Sequence, residues 1–146
     1  MSPSGIARDA LGRRVAPGSA EQVSEISEVA LPAGPAVAAA RALLAQGRAF
    51  AAHEIFEAVW KACPQQERDL WQGLAQVCVG ITHLQRGNSV GAQTLLRRGA
   101  GHLREDAGTG PEAIGLDPAA IVDRALALAD RVASGAGFTP AALTLV

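Results

Sequence analysis

The feature that most constrains this chain is the way glycine and proline divide it into segments of helical period. Between Pro35 and Gly135, apolar residues recur at spacings of three and four in five stretches, and each ends at or shortly before a glycine or a proline. Proline interrupts a helix, and glycine is favoured just beyond its last turn. No segment alternates apolar and polar residues with period two. The sequence therefore predicts an all-α fold.

The same signals set approximate bounds for five helices. They are predicted at 35–46, 49–63, 66–86, 88 or 89 to 106, and 118–134. Short connections make successive helices antiparallel, so the helices form hairpins in a bundle or an array. Residues 47–60 align with residues 87–100 at an offset of forty, an internal echo that two stacked helical hairpins would produce.

The chain has the length of one domain, 146 residues, which is enough to bury a core without a metal or disulfides. Residues 1–34 mix proline, glycine, serine and charges without a sustained period, and we expect a poorly ordered tail draped over the domain. The all-α domain is expected at 35–134, with a C-terminal tail at 135–146.

Composition excludes several function classes. The formal charge of −1 lacks the basic excess of a nucleic-acid or anionic-membrane binder. No secretory signal and no membrane-length apolar run is seen, so we expect a cytoplasmic protein. Cys63 and Cys78 lack CxxC spacing and are interpreted as reduced thiols. Twelve of the thirteen basic residues are arginine and tyrosine is absent, which indicates a GC-rich, bacterial coding sequence.

The stretch "HEIFEAVW", residues 53–60, carries the chemistry-bearing side chains of helix 2. A helical residue turns about 100°, which puts His53 and Glu57 together at the edge of an apolar arc. Glu54 and Lys61 are expected on the solvent-facing side. Residues four apart lie about 5–6 Å from each other at Cβ, close enough for His53 and Glu57 to share one cation.

Helix 3 carries a polar stripe of its own, Gln72, Gln76 and His83, within an apolar run. If helices 2 and 3 fold back on each other across the proline between them, Gln72 lies opposite Glu57 and Gln76 lies opposite His53. His83 then lies roughly two turns away. The sequence therefore predicts a polar cluster between two helices.

Two interpretations of this cluster stay open. In the first it is a metal or acid-base site, with His53 and Glu57 as ligands of a divalent transition metal, most simply zinc. Trp60 would then wall the site, and Gln72 and Gln76 would orient ligands or water. In the second it is a hydrogen-bond cluster in which His53 donates to Glu57 and the glutamines satisfy the remaining groups.

The number and spacing of the candidate metal ligands differ from those of known metal-binding motifs. Zinc sites usually take at least three protein ligands, and His83 becomes the third only if helix 3 is shifted or another subunit supplies it. Glu57 stands where the second histidine of HExxH belongs, and the ExxH pairs of a di-iron site are missing. His102 is interpreted as part of a solvated face, and Gly99 and Gly101 as sites of close helix packing.

Three blocks, "AFAAHEIFEAVW", "LWQGLAQVCVGITHLQRGN" and "GAQTLLRRGAGHL", resemble the bacterial and archaeal domain-of-unknown-function family numbered 309. The family signature is a histidine, three residues, an acidic residue, two residues, then Trp or Tyr, which corresponds here to His53, Glu57 and Trp60. The resemblance covers roughly residues 36–104 and continues more loosely through "GLDPAAIVDRALAL". It implies an all-α domain whose His/Glu signature has been suggested to bind metal, and it brings no substrate.

Two functions follow as hypotheses. The first is a metal-binding domain, with metal-dependent hydrolysis as the candidate reaction. The second is a non-catalytic helical-hairpin module, in which a groove holds a peptide or a second copy of the chain and the polar cluster fixes the register of the helices. The residues leave open whether the chain is an enzyme.

Overall fold

The computed structural model describes residues 7–20, 22–23, 29–106, 114–144 and 146. This part of the chain contains five α-helices and no strand, which confirms the all-α prediction. Each helix packs mainly against the next one along the chain. None of the described helices has both the length and the hydropathy needed to cross a bilayer. The helices are α1 (Ala33–Ala45), α2 (Ala49–Ala62), α3 (Arg68–Gln85), α4 (Ser89–Glu105) and α5 (Pro118–Ala133).

Most predicted helix ends lie within two residues of the observed ones, and proline explains two of the differences. Helix α1 begins two residues before Pro35, because a proline in the first turn loses no intrahelical hydrogen bond. Helix α2 ends one residue early, since Cys63 precedes Pro64 and takes an extended conformation, with φ −79° and ψ 160°. A 3-10 turn at Gln65–Glu67 then leads into α3.

The internal echo corresponds to two turns of the same geometry. Gly47 between α1 and α2 has φ +75°, and Gly87 between α3 and α4 has φ +81°. In both turns the glycine N–H donates to the carbonyl three residues earlier, and the next N–H donates to the carbonyl five residues earlier. These bonds satisfy carbonyls at the helix end and require a residue that tolerates positive φ. The two hairpins, α1–α2 and α3–α4, therefore turn alike.

The core is built from small aliphatic side chains around two large aromatic ones. Phe56 of α2 and Trp71 of α3 are fully buried, and their ring centroids lie 6.1 Å apart. Helices α3 and α4 approach closely because Gly73 and Gly99 meet at their crossing. A Cβ on either glycine would lie 2.9 Å from the other's carbonyl oxygen. Gly99 thus packs as expected, whereas Gly101 faces open space.

The described part of the predicted N-terminal tail rests on the helical domain. Residues 7–15 close on themselves through hydrogen bonds of Asp9, and Arg86 at the end of α3 donates to the carbonyl of Leu11 at 2.9 Å. Residues 1–6, 21 and 24–28 of that predicted tail lie outside the described residues. At the other end of the chain, Arg41 of α1 donates to the carbonyl of Val146 at 3.3 Å.

Candidate functional site

Helix α2 carries His53, Glu57 and Lys61 along one ridge, four residues apart. His53 Nε2 lies 3.3 Å from Glu57 Oε2, and Lys61 Nζ donates to Glu57 Oε1 at 3.2 Å. The exposed fraction of the side chain rises along the ridge, from 15% at His53 to 40% at Glu57 and 66% at Lys61. The imidazole is therefore turned largely into the protein, and the carboxylate reaches solvent.

The backbone of α2 fixes the orientation of the imidazole. His53 Nδ1 lies 2.9 Å from the carbonyl oxygen of Phe50, which can only accept a hydrogen bond, so Nδ1 is assigned a proton. Nε2 then faces Glu57 either as a second N–H donor or as a lone pair. A histidine that donates one ring N–H to a backbone carbonyl and presents its other nitrogen has the arrangement typical of a metal ligand.

The distance between His53 Nε2 and Glu57 Oε2 suits a shared ion. Charge-assisted N–H to carboxylate hydrogen bonds are usually about 2.7–2.9 Å long. Two ligand atoms bound to one tetrahedral zinc at about 2.0–2.1 Å lie about 3.3 Å apart. The observed 3.3 Å is close to this ligand separation, and it is also close to the 3.2 Å hydrogen bond from Lys61 to the same carboxylate. The separation therefore admits both interpretations of the pair.

Opposing effects act on the pKa of Glu57. Burial would raise it, but the hydrogen bond from Lys61 and the charges of His53 and Lys61 outweigh burial and hold the pKa below its usual value of 4.5. The carboxylate is thus ionised at neutral pH, as a ligand must be. Lys61 is exposed as expected, but its side chain returns to Glu57. Glu57 and Lys61 are four residues apart on one helix, and this spacing in the sequence predicts the contact between them.

Helices α2 and α3 are antiparallel, and contacts at several levels fix their register. The guanidinium of Arg68 stacks over the ring of Trp60 at 5.1 Å, near the start of α3. Gln85 Nε2, at the other end of α3, donates to the carbonyl of Gly47 at 3.0 Å. Helices α2 and α3 therefore fold back on each other, and the facing of Gln76 and His53 stays a prediction.

One polar side-chain atom in α2 and one in α3 are buried without hydrogen-bond partners among the described residues. Trp60 Nε1 and Gln76 Oε1 are both inaccessible to solvent, and neither has a hydrogen-bond partner among the described residues. Gln72 is partly buried. Unpaired buried groups are costly and usually mark an ordered water or an ion. Trp60 Nε1 and Gln76 Oε1 are therefore places where an ordered water can bind.

His83 belongs to the turn between α3 and α4. Its Nδ1 lies 3.1 Å from Asn88 Nδ2, and its carbonyl accepts from the backbone N–H of Asn88. Among the described residues, His83 does not join His53 and Glu57 in a group that could hold one metal ion.

A second histidine–carboxylate pair joins α3 to α4. His102 Nδ1 lies 2.9 Å from Asp69 Oδ1, with side chains 28% and 45% exposed. The sequence interpretation placed His102 on a solvated face and missed this pair. Counting back from the Gly87 turn would have put the last turn of α4 beside the first turn of α3. The separation of 2.9 Å is that of an ordinary hydrogen bond.

Part of the chain matches the model of a known protein family. Residues 37–95 match the family model described as Domain of unknown function (DUF309). This segment of the chain is similar to that family. The matched segment runs from α1 into α4 and includes His53, Glu57 and Trp60, so the resemblance inferred from the sequence is confirmed. Comparisons with curated proteins and with solved structures found no match.

The ridge of α2 carries two side chains that could act as metal ligands, His53 and Glu57. Within the described ranges, no three His, Cys, Asp or Glu side chains lie close enough together to hold one metal ion. A metal at His53 and Glu57 would therefore need further ligands from water, a bound molecule or a second copy of the chain. Such a site would leave coordination positions of the metal open to water or a bound molecule.

Proposed function

We propose that this protein binds one divalent transition-metal ion, most simply zinc, through His53 Nε2 and Glu57 Oε2. The observation that carries the proposal is the 3.3 Å separation of these two atoms, with the Nδ1 side of the imidazole held by the carbonyl of Phe50. Glu57 is ionised at neutral pH, which is the state that a carboxylate ligand requires.

Lys61 defines how Glu57 would bind. Its ammonium group holds Oε1, which leaves Oε2 as the oxygen that faces His53, so coordination through one carboxylate oxygen is expected. An ion held by two protein ligands keeps positions for water and substrate, and it would supply Lewis-acid chemistry suited to hydrolysis. Metal binding is the first step of that candidate reaction and is the property to test.

The test is zinc titration of chelator-treated protein, followed by calorimetry and by elemental analysis after gel filtration. The informative variants are His53→Ala and Glu57→Gln. The matched control is His102→Ala, because it removes the other histidine–carboxylate pair, whose spacing is that of a hydrogen bond. We expect near-equal stoichiometry in the wild type and in His102→Ala, and affinity at least about 100-fold weaker in the two ridge variants.

Two outcomes would contradict the proposal. If the wild type takes up no zinc, manganese, cobalt or nickel, the ridge is not a metal site. If zinc binds but His53→Ala binds it as tightly as the wild type does, the ion is held elsewhere in the chain. Circular dichroism of each variant verifies that lost binding does not reflect unfolding.

One observation favours a second candidate function, a non-catalytic interaction module. Each ring nitrogen of His53 already faces an acceptor within α2, so a doubly protonated imidazole would be satisfied without any ion. The ridge would then stabilise α2, and the module would bind a peptide or a second copy of the chain. In that case His53→Ala lowers the free energy of unfolding by about 1–3 kcal/mol and leaves the metal content unchanged.

A further inference from the structure

Residues 7–15 form a self-closed loop, here called the N-terminal cover, whose centre is Asp9. Asp9 Oδ1 accepts from the backbone N–H groups of Leu11 and Arg13 at 3.0 and 2.9 Å, and Oδ2 accepts from Arg13 Nε at 2.9 Å. The backbone N–H of Val15 donates to the carbonyl of Ala7 at 3.0 Å. Because these bonds lie within the segment, the cover has an internal structure of its own.

The cover lies directly on the ring of Phe50, at the start of α2. Gly12 has φ +80°, and a Cβ on it would lie 2.2 Å from Phe50 Cγ, so the backbone of the cover contacts the face of the ring. The guanidinium of Arg8, in the cover, lies 5.0 Å from the ring centroid, and that of Arg86, in the domain, lies 5.5 Å from it. Both arginines also donate to carbonyls of the cover, those of Gly12 and Leu11.

Phe50 connects the cover to the candidate metal site. Its ring centroid lies 5.1 Å from that of His53, and its carbonyl accepts from His53 Nδ1. Phe50 therefore contacts both the cover and His53. His53 has only 15% of its side chain exposed, although it lies on a ridge that reaches solvent at Glu57.

We propose that the N-terminal cover is a built-in strap that, by docking on Phe50, restricts access to the His53 imidazole. If the strap controls the entry of a metal ion, that role rests on the function proposed above. The effect of the strap on access to the His53 imidazole is independent of metal binding, because it depends only on how the cover, Phe50 and His53 are packed. Release of the strap would free Phe50 and open one side of the histidine.

Two glycines of the N-terminal segment provide a matched pair of variants. Gly12 and Gly18 both have φ +80°, so alanine introduces the same backbone strain at either position. Only at Gly12 does the added methyl group meet Phe50, since nothing lies within 4 Å of a Cβ at Gly18. Gly12→Ala should release the strap, and Gly18→Ala should leave it docked. Arg86→Ala, which removes the donor to Leu11, provides a second route to release.

The measurement is the rate at which diethyl pyrocarbonate modifies each histidine, followed by mass spectrometry in the presence of a chelator. We expect Gly12→Ala and Arg86→Ala to raise the His53 rate about twofold or more, toward the exposure of His102, and to speed hydrogen exchange in residues 7–15. His102 should react equally in all proteins. Gly18→Ala should behave as the wild type does.

Three outcomes would overturn the strap. The first is faster hydrogen exchange in residues 7–15 with an unchanged rate of His53 modification. The second is that neither Gly12→Ala nor Arg86→Ala changes the rate of His53 modification. An equal effect of Gly18→Ala would also overturn it, because backbone strain alone would then explain the change. The chelator keeps this result independent of metal binding. Faster zinc uptake by Gly12→Ala is expected only if the strap and the metal site are both real.

Discussion

The crossing of α3 and α4 predicts different stabilities for two glycine-to-alanine substitutions on the same helix. At Gly99 an added Cβ would lie 2.9 Å from the carbonyl oxygen of Gly73 and 2.9 Å from the backbone nitrogen of Val77. These are backbone atoms, which cannot rotate away. At Gly101, two residues later, a Cβ would meet nothing within 4 Å.

The magnitude follows from comparing the two positions. Alanine improves helix propensity by roughly 1 kcal/mol at either glycine. At Gly99 the helices must also separate by about 0.5 Å to restore ordinary contact, and overpacking of this kind costs roughly 1–3 kcal/mol. Because the propensity gain is common to both, the difference in free energy of unfolding isolates the packing cost. Gly101→Ala should therefore be more stable than Gly99→Ala by about 1–3 kcal/mol.

The assay is urea and thermal unfolding followed by circular dichroism at the helical band. For a chain of this size each kcal/mol corresponds to about 2–4 °C in Tm. Gly101→Ala should melt above the wild type, and Gly99→Ala should melt below Gly101→Ala by several degrees. Equal stability of the two variants would refute the close crossing of α3 and α4.

Three further predictions concern the charged and thiol side chains. Burial would raise the pKa of Asp9, but its hydrogen bonds outweigh burial and hold the pKa below the usual value of 3.8. The stability that the Asp9 charge contributes is therefore present above pH 3.8, and it is lost as the pH falls through the lower pKa of the folded protein. Asp9→Asn should consequently be less stable than the wild type at pH 7, and urea unfolding should show this difference shrinking below about pH 4. Lys61→Ala should raise the pKa of Glu57, seen by NMR titration of the carboxyl carbon, and should change stability by less than about 0.5 kcal/mol because the ion pair is exposed. Burial strongly raises the pKa of the Cys78 thiol, so a thiol reagent should modify Cys78 only after unfolding, whereas fast reaction in the native protein would contradict its full burial.

Most of the fold could be predicted from the sequence because its signals are local. Proline and glycine act on the conformation of adjacent residues, so Pro64 and Gly87 mark helix ends wherever the rest of the chain lies. The echo of forty residues likewise reflected a local turn geometry, since the hydrogen bonds around Gly47 recur around Gly87. Helix order then followed from short connections.

The candidate site could be predicted only where it depends on spacing within one helix. His53 and Glu57 are four residues apart on α2, and their contact follows from helical geometry. The pairing of His102 with Asp69 depends instead on the register of two helices and was missed. The docking of Gly12 on Phe50 depends on contacts between segments distant in sequence, so composition predicts a tail draped over the domain but not the place where it docks.

The central claim is that His53 Nε2 is a metal ligand while Nδ1 stays bound to the carbonyl of Phe50. Nitrogen-15 NMR of the histidine side chains, recorded as zinc is added to one equivalent, tests it most directly. The account predicts a large change at His53 Nε2, a protonated Nδ1 throughout and unchanged signals from His102. A spectrum in which His53 Nε2 does not respond to zinc would contradict it.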